Sequence, residues 1–146
     1  MMTLNERTAL HEAAHAVVAH TNGLTVTSIE ITNHGTGLCM MAGTAGQEKL
    51  LGMAGLAGYV VEAMLEDEAN KETVTLSVTA MKASRRYGTD YRIAHDAFGS
   101  DDGLQARMNT VRETLLANWD TMEDVAMALE DNNSLKGVKL YKLLQG

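Results

Sequence analysis

At 146 residues, with 45% apolar and 21% charged side chains, the chain suits one domain, residues 1–146, and its composition excludes disordered and fibrous classes. A formal charge of -7, with only 12 Lys and Arg, speaks against nucleic acid as a partner, because phosphate binding needs clustered cations. The lone cysteine, Cys39, excludes an internal disulfide, fits a reducing compartment and reads as an inert, half-buried strand residue. Met1-Met2-Thr3-Leu4-Asn5-Glu6 lacks the basic start and apolar core of a secretory signal, so the mature chain is expected to begin here. The longest apolar stretch, residues 50–61, falls short of the ~20 residues that cross a bilayer. It is bracketed by Lys49 and Glu62 and reads as a buried helix, so no membrane partner and a cytoplasmic setting are expected.

The first predicted helix opens at Thr3-Leu4-Asn5-Glu6, a capping box, and runs to about Thr21, ended by Asn22-Gly23. Leu10, Ala13, Ala14, Val17 and Val18 make its apolar stripe, with His11 and His15 at the margin. Residues 25–31 alternate with period two and are rich in β-branched side chains, predicting a strand with Val26 and Ile29 or Ile31 turned partly toward a core. A turn at Asn33-His34-Gly35 and a return strand over residues 37–41 complete a small hairpin. Thr44-Ala45-Gly46-Gln47 repeats the capping pattern and opens a helix to about Glu66. Gly52, Gly55 and Gly58 each cost that helix about 1 kcal/mol against alanine, which implies close approach of another backbone.

The β-branched run Thr73-Val74-Thr75-Leu76 makes residues 72–87 ambiguous, but Val74, Ser77, Val78 and Met81 favour a helix, with Gly88 as the stop. Thr89-Asp90 starts a short helix to about Phe98, residues 99–103 form a loop, and residues 104–118 and 120–131 are helical. The box Asp120-Thr121-Met122-Glu123 opens the last of these, and a short final helix follows Ser134. The fold class is therefore mainly α with a small β-hairpin.

Chemistry concentrates in His11-Glu12-Ala13-Ala14-His15. Helix residues four apart share a face, so the two imidazoles can converge on one Zn2+ while Glu12 reaches its water as general base. A catalytic zinc normally takes three protein ligands. Asp90 is among the candidates for the third; its competing role is to stabilise the free amides of a helix start. Glu62, Asp96 and His95 are rivals, Glu62 fitting better as a carboxylate that orients an imidazole. His20 turns to another face and His34 sits at the hairpin tip. Arg85-Arg86 reads as a solvated helix face, and the methionines, among them Met40-Met41, Met53, Met64 and Met81, as adaptable core filling.

The order of these features resembles the protease domain of the FtsH family, zinc-dependent AAA+ proteases. The run from Thr8 through Val18 is similar to the family's zinc helix, with Ala14 where glycine is usual. Ala57-Gly58-Tyr59-Val60-Val61-Glu62 is similar to its GGRxAE segment, with Tyr59 a departure, and Gly88-Thr89-Asp90-Tyr91-Arg92-Ile93-Ala94 to its aspartate segment. Leu129-Glu130 through Leu135-Lys136-Gly137, ending in Leu143-Leu144, is similar to its C-terminal pattern.

The resemblance implies a helical bundle carrying an HExxH zinc helix, with His11, His15 and Asp90 as ligands and Glu12 as base. It also implies a substrate-holding edge at Gly37, Leu38, Cys39 and Met40. These residues contain no GxxxxGK[ST] phosphate loop. The expectation is thus a zinc metalloendopeptidase acting without ATP on flexible or unfolded polypeptide. The alternative is a non-catalytic or regulatory module that retains the fold to hold a partner. Family protease domains form rings, so a homo-oligomer is compatible with the apolar, glycine-rich surface.

Overall fold

The computed structural model describes residues 2–32 and 34–146, and its elements are arranged around one alanine-rich helix. That helix, α1 (Leu4–Thr21), begins with one half of the predicted box: the Thr3 hydroxyl accepts a hydrogen bond from the Glu6 amide at 3.1 Å, while the Glu6 carboxylate makes no return bond to the Thr3 amide. Replacing Thr3 by alanine is expected to lower stability by about 1 kcal/mol, read from a urea midpoint; an unchanged midpoint would show that solvent satisfies that amide equally well. Burial of α1 is not confined to the predicted stripe. Every residue from Thr8 to Ala19 except Leu10 and His11 is buried, because Ala9, Ala16 and Ala19 fill the faces left beside Ala13, Val17 and Val18. A helix buried on nearly every face belongs in the middle of a fold. α1 packs chiefly on α2 (Glu48–Glu66), α6 (Trp119–Asn132) and the strands β1 (Thr25–Ile31) and β2 (Gly37–Ala42).

β1 and β2 pair antiparallel, with Ile29 opposite Cys39 and Ile31 opposite Gly37. A register shift between Val26 and Ser28 resets the alternation, so Val26 packs partly on the core although it lies an odd number of residues from the buried Ile29 and Ile31. Asn33 of the predicted turn lies outside the described residues; Gly35 adopts φ +77°. The hairpin is two-thirds of the sheet. β3 (Ser134–Lys136) joins the other edge of β1, placing Leu135 opposite Ile29 in the order β2-β1-β3. Where the sequence predicts a helix straight after Ser134, a strand intervenes and α7 (Gly137–Gln145) follows.

The second capping pattern acts differently from a box. The Gln47 side chain accepts from the Thr44 amide at 2.7 Å, but no side chain caps α2. Between α2 and the next long helix, the predicted helix over residues 72–87 reduces to α3 (Val78–Ala83) and a single 3-10 turn, Arg85–Tyr87. Hydrogen bonds from elsewhere hold the rest open: the Arg112 guanidinium donates to the Val74 carbonyl, Gln105 bonds the Leu76 carbonyl and the Val78 amide, and the Tyr59 hydroxyl accepts from Ser77 N. Gly88, the predicted stop, instead starts α4 (Gly88–Phe98) with φ −56°. α5 (Asp101–Ala117) begins inside the predicted loop, capped by Ser100, and α6 follows Asn118 without the predicted Asp120 box. The fold is mainly helical with a small antiparallel sheet, and none of its described helices is long and apolar enough to cross a membrane.

Candidate metal centre and cleft

His11 and His15, one turn apart on α1, face α2 and α4, and both neighbours determine how the rings sit. His11 Nδ1 lies 2.9 Å from Glu62 Oε2, and His15 Nδ1 lies 2.6 Å from the Ala54 carbonyl oxygen. A carbonyl and an ionised carboxylate only accept, so both Nδ1 atoms carry the proton of the neutral ring and both Nε2 atoms present lone pairs. Those two atoms are 3.1 Å apart, and Asp90 Oδ2 is 3.2 Å from each. Three acceptor atoms within 3.2 Å of one another repel unless a proton or a cation joins them. Tetrahedral zinc with bonds of about 2.0–2.1 Å spaces its ligand atoms about 3.3 Å apart, so the triangle has the dimensions of such a site.

The protein's own charges respond accordingly. Burial disfavours the His11 imidazolium, but hydrogen bonds to Asp90 and Glu62 outweigh it and hold the pKa at about 9; His15 is raised against the same burial by Asp90. Burial likewise opposes ionisation of Asp90, yet His15 and His11 keep its carboxyl well below the usual range. Glu12 has no such hold. Burial pushes its carboxyl above the ordinary value against the weaker pull of His15 and His11. Its ligand oxygen also lies within 4.8 Å of the two imidazole nitrogens, so His11, Glu12 and His15 form a second group able to hold a metal ion.

Two glycines leave room for these side chains. A Cβ on Gly58 would stand 2.2 Å from His11 Cε1, and one on Gly37 would stand 2.6 Å from Glu12 Cγ. The glycines of α2 therefore serve side chains more than the backbone approach expected of them: Gly52 faces Ala97 and Phe98, Gly58 faces the imidazole, and only Gly55 meets backbone, the Asp90 carbonyl at 3.4 Å. The same helix contributes Glu62, which is fully buried yet accepts from three partners. Arg7 Nε donates to its Oε1 at 2.8 Å, Arg86 Nε lies 2.9 Å from Oε1 and 3.0 Å from Oε2, and His11 takes the remaining contact. Burial would raise the Glu62 pKa; His11 and the two arginines lower it below the normal value. Tyr87 stacks on the His11 ring, 6.2 Å between centroids at 14°.

A cleft of about 760 Å³ opens over this centre. It is bordered by Gly37, Leu38, Cys39, Met40 and Met41 of β2, by Leu51 and Gly55 of α2, and by Arg86, Thr89, Asp90 and Ile93. β2 is the outer strand on this side, and Leu38 and Met40 are about half exposed. Cys39 is half-buried in the strand as predicted, with its thiol pKa pushed up by burial. Met53, Met64 and Met81 are core residues as expected, whereas Met40 and Met41 line the cleft.

Asp90 meets both imidazoles from the first turn of α4, and Glu62 reaches only the far nitrogen of His11. His95 packs against Tyr91, Asp96 is exposed, His20 sits edge-on to Tyr141 and His34 is exposed. Arg86 departs from its reading as a solvated pair: it anchors Glu62 and borders the cleft. Arg7 and the Ala54 carbonyl carry no motif, and sequence spacing gives no signal for either.

Residues 3–66, which hold α1, β1, β2 and α2, match the family model described as Peptidase M50B-like. This supports a metallopeptidase. It points to a different group from FtsH, so the family implied by the motif order is not the one matched. No curated protein matches the chain.

Proposed function

We infer that this protein is a zinc-dependent endopeptidase that hydrolyses flexible or unfolded polypeptide without ATP, with His11, His15 and Asp90 as metal ligands and Glu12 as general base. The observation that carries the reading is the triangle of His11 Nε2, His15 Nε2 and Asp90 Oδ2, 3.1–3.2 Å on a side, beside a buried carboxylate in an open cleft. The Peptidase M50B-like match over the segment holding both histidines supports the hydrolase class. The order of helix, hairpin, glycine-rich helix and Asp90 supports an FtsH-type arrangement of the site. Asp90 is preferred to Glu12 as third ligand because its oxygen touches both Nε2 atoms. Glu12 is then left, with its raised affinity for a proton, to handle water.

His11, His15 and Asp90 would hold the zinc, whose chemistry there would be to polarise a peptide carbonyl and to lower the pKa of water toward about 7. The residues do the rest. Glu12 accepts the proton of the attacking water and delivers it to the leaving amine. Glu62 and the Ala54 carbonyl fix the tautomers that turn both Nε2 lone pairs inward, and the two arginines keep Glu62 ionised while buried. The free edge of β2 at Gly37, Leu38, Cys39 and Met40 offers backbone groups to an extended peptide, which suits loose sequence preference.

Protein purified without chelator is expected to carry near-stoichiometric zinc and to fragment unstructured casein; chelation should stop cleavage and added zinc restore it. Zinc-free protein, or cleavage indifferent to chelator, would sink the reading.

A further inference from the structure

Arg86 is the only Lys or Arg among the described residues bordering the cleft. Its Nε is committed to Glu62, which fixes the guanidinium plane, while its terminal amino groups have no hydrogen-bond partner among the described residues. Its side chain is about one-third exposed. A guanidinium held at Nε and free at both Nη atoms is a preorganised fork for a carboxylate. Of the acids that line the same cleft, Asp90 is already set against two imidazoles and Glu12 sits behind Gly37, so neither neutralises the Nη groups by direct contact.

We propose that Arg86 is a substrate-recognition residue that binds a carboxylate of the bound peptide, either an acidic side chain near the scissile bond or the free chain terminus. This rests on the peptidase reading of the cleft. Arg86 acts by its free Nη groups, separately from the hold of its Nε on Glu62, and that separation gives the test.

Zinc-loaded Glu12→Gln protein, which needs no turnover, is titrated with fluorescent peptides in pairs: glutamate against glutamine at each position across the cleavage site, and free C-terminal carboxylate against amide. At least one pair should favour the carboxylate by about tenfold, the scale of a charge-assisted hydrogen bond. Whether the side-chain or the terminal pair responds identifies the source. Arg86→Gln added to this background should bring the ratio to about one, Arg86→Lys should keep part of it, and Arg85→Gln, with equal charge change outside the cleft, should leave it intact. A ratio compares two ligands on one protein, so a general loss of affinity from disturbing Glu62 cancels. Absence of any carboxylate preference, or a preference that survives Arg86→Gln, overturns the proposal. Arg86-dependent binding in a protein whose wild type cleaves nothing would refute the peptidase reading and leave the carboxylate site standing.

Discussion

Replacing Glu12 by glutamine is expected to lower peptide cleavage by about 10²- to 10⁴-fold while leaving the zinc content unchanged. The amide has nearly the shape of the carboxylate, so the packing against Gly37 is preserved, but it cannot accept a proton from water. The buried position makes the loss hard to compensate, because at 5% exposure Glu12 has little bulk water to substitute as base. Glu12 is not held by any of the hydrogen bonds that hold Glu62, so its replacement leaves the histidine tautomers alone. Kinetics on a fluorogenic peptide together with metal analysis check both halves. Cleavage at the wild-type rate would exclude Glu12 as base, and loss of zinc with activity would make it a ligand in place of Asp90.

Replacing Gly58 by alanine is expected to lower zinc affinity by about 10- to 100-fold, although residue 58 carries no ligand atom. Its new methyl would lie 2.2 Å from Cε1 and 2.5 Å from Nε2 of His11, so the ring must leave the triangle. Leaving also breaks the contact with Glu62, a buried carboxylate that depends on three partners. Crowding of this kind costs about 1–3 kcal/mol, against about 1 kcal/mol gained from alanine's helix propensity, so the protein should still fold. Isothermal titration with zinc and a urea midpoint separate the two effects. Gly88→Ala is the control, since nothing lies within 4 Å of its Cβ position and its φ is −56°. Tight zinc binding by Gly58→Ala would show that His11 is not needed in the place where it stands.

Much of this arrangement follows from local chemistry. The Thr3 cap, the period-two run of β1 and the four-residue spacing of His11 and His15 need only neighbours in sequence, and each is found where the residues predict. The helix carrying Gly52, Gly55 and Gly58 was equally legible, although the residues that face its glycines were not. Expectations failed where distant groups outbid local preference. Residues 73–77 have a helical pattern, but Arg112, Gln105 and Tyr59 take their backbone groups instead. β3 is three residues long, too short for periodicity to register, and exists because β1 offers a second edge more than a hundred residues earlier in the chain.

By itself the sequence determined the helical character of the protein, the pairing of β1 with β2 and the two imidazoles on one helix face, all consequences of repeat distances along the chain. Only the tertiary structure decided what those imidazoles meet. Ala54 and Glu62 set their protons, Asp90 closes the triangle, Gly58 and Gly37 make the space, and Arg86 turns from a surface cation into a wall of the cleft. The physical reason is range: hydrogen-bond direction and steric clearance act over about 3 Å between atoms that the chain separates by tens of residues. No spacing rule reaches across that distance.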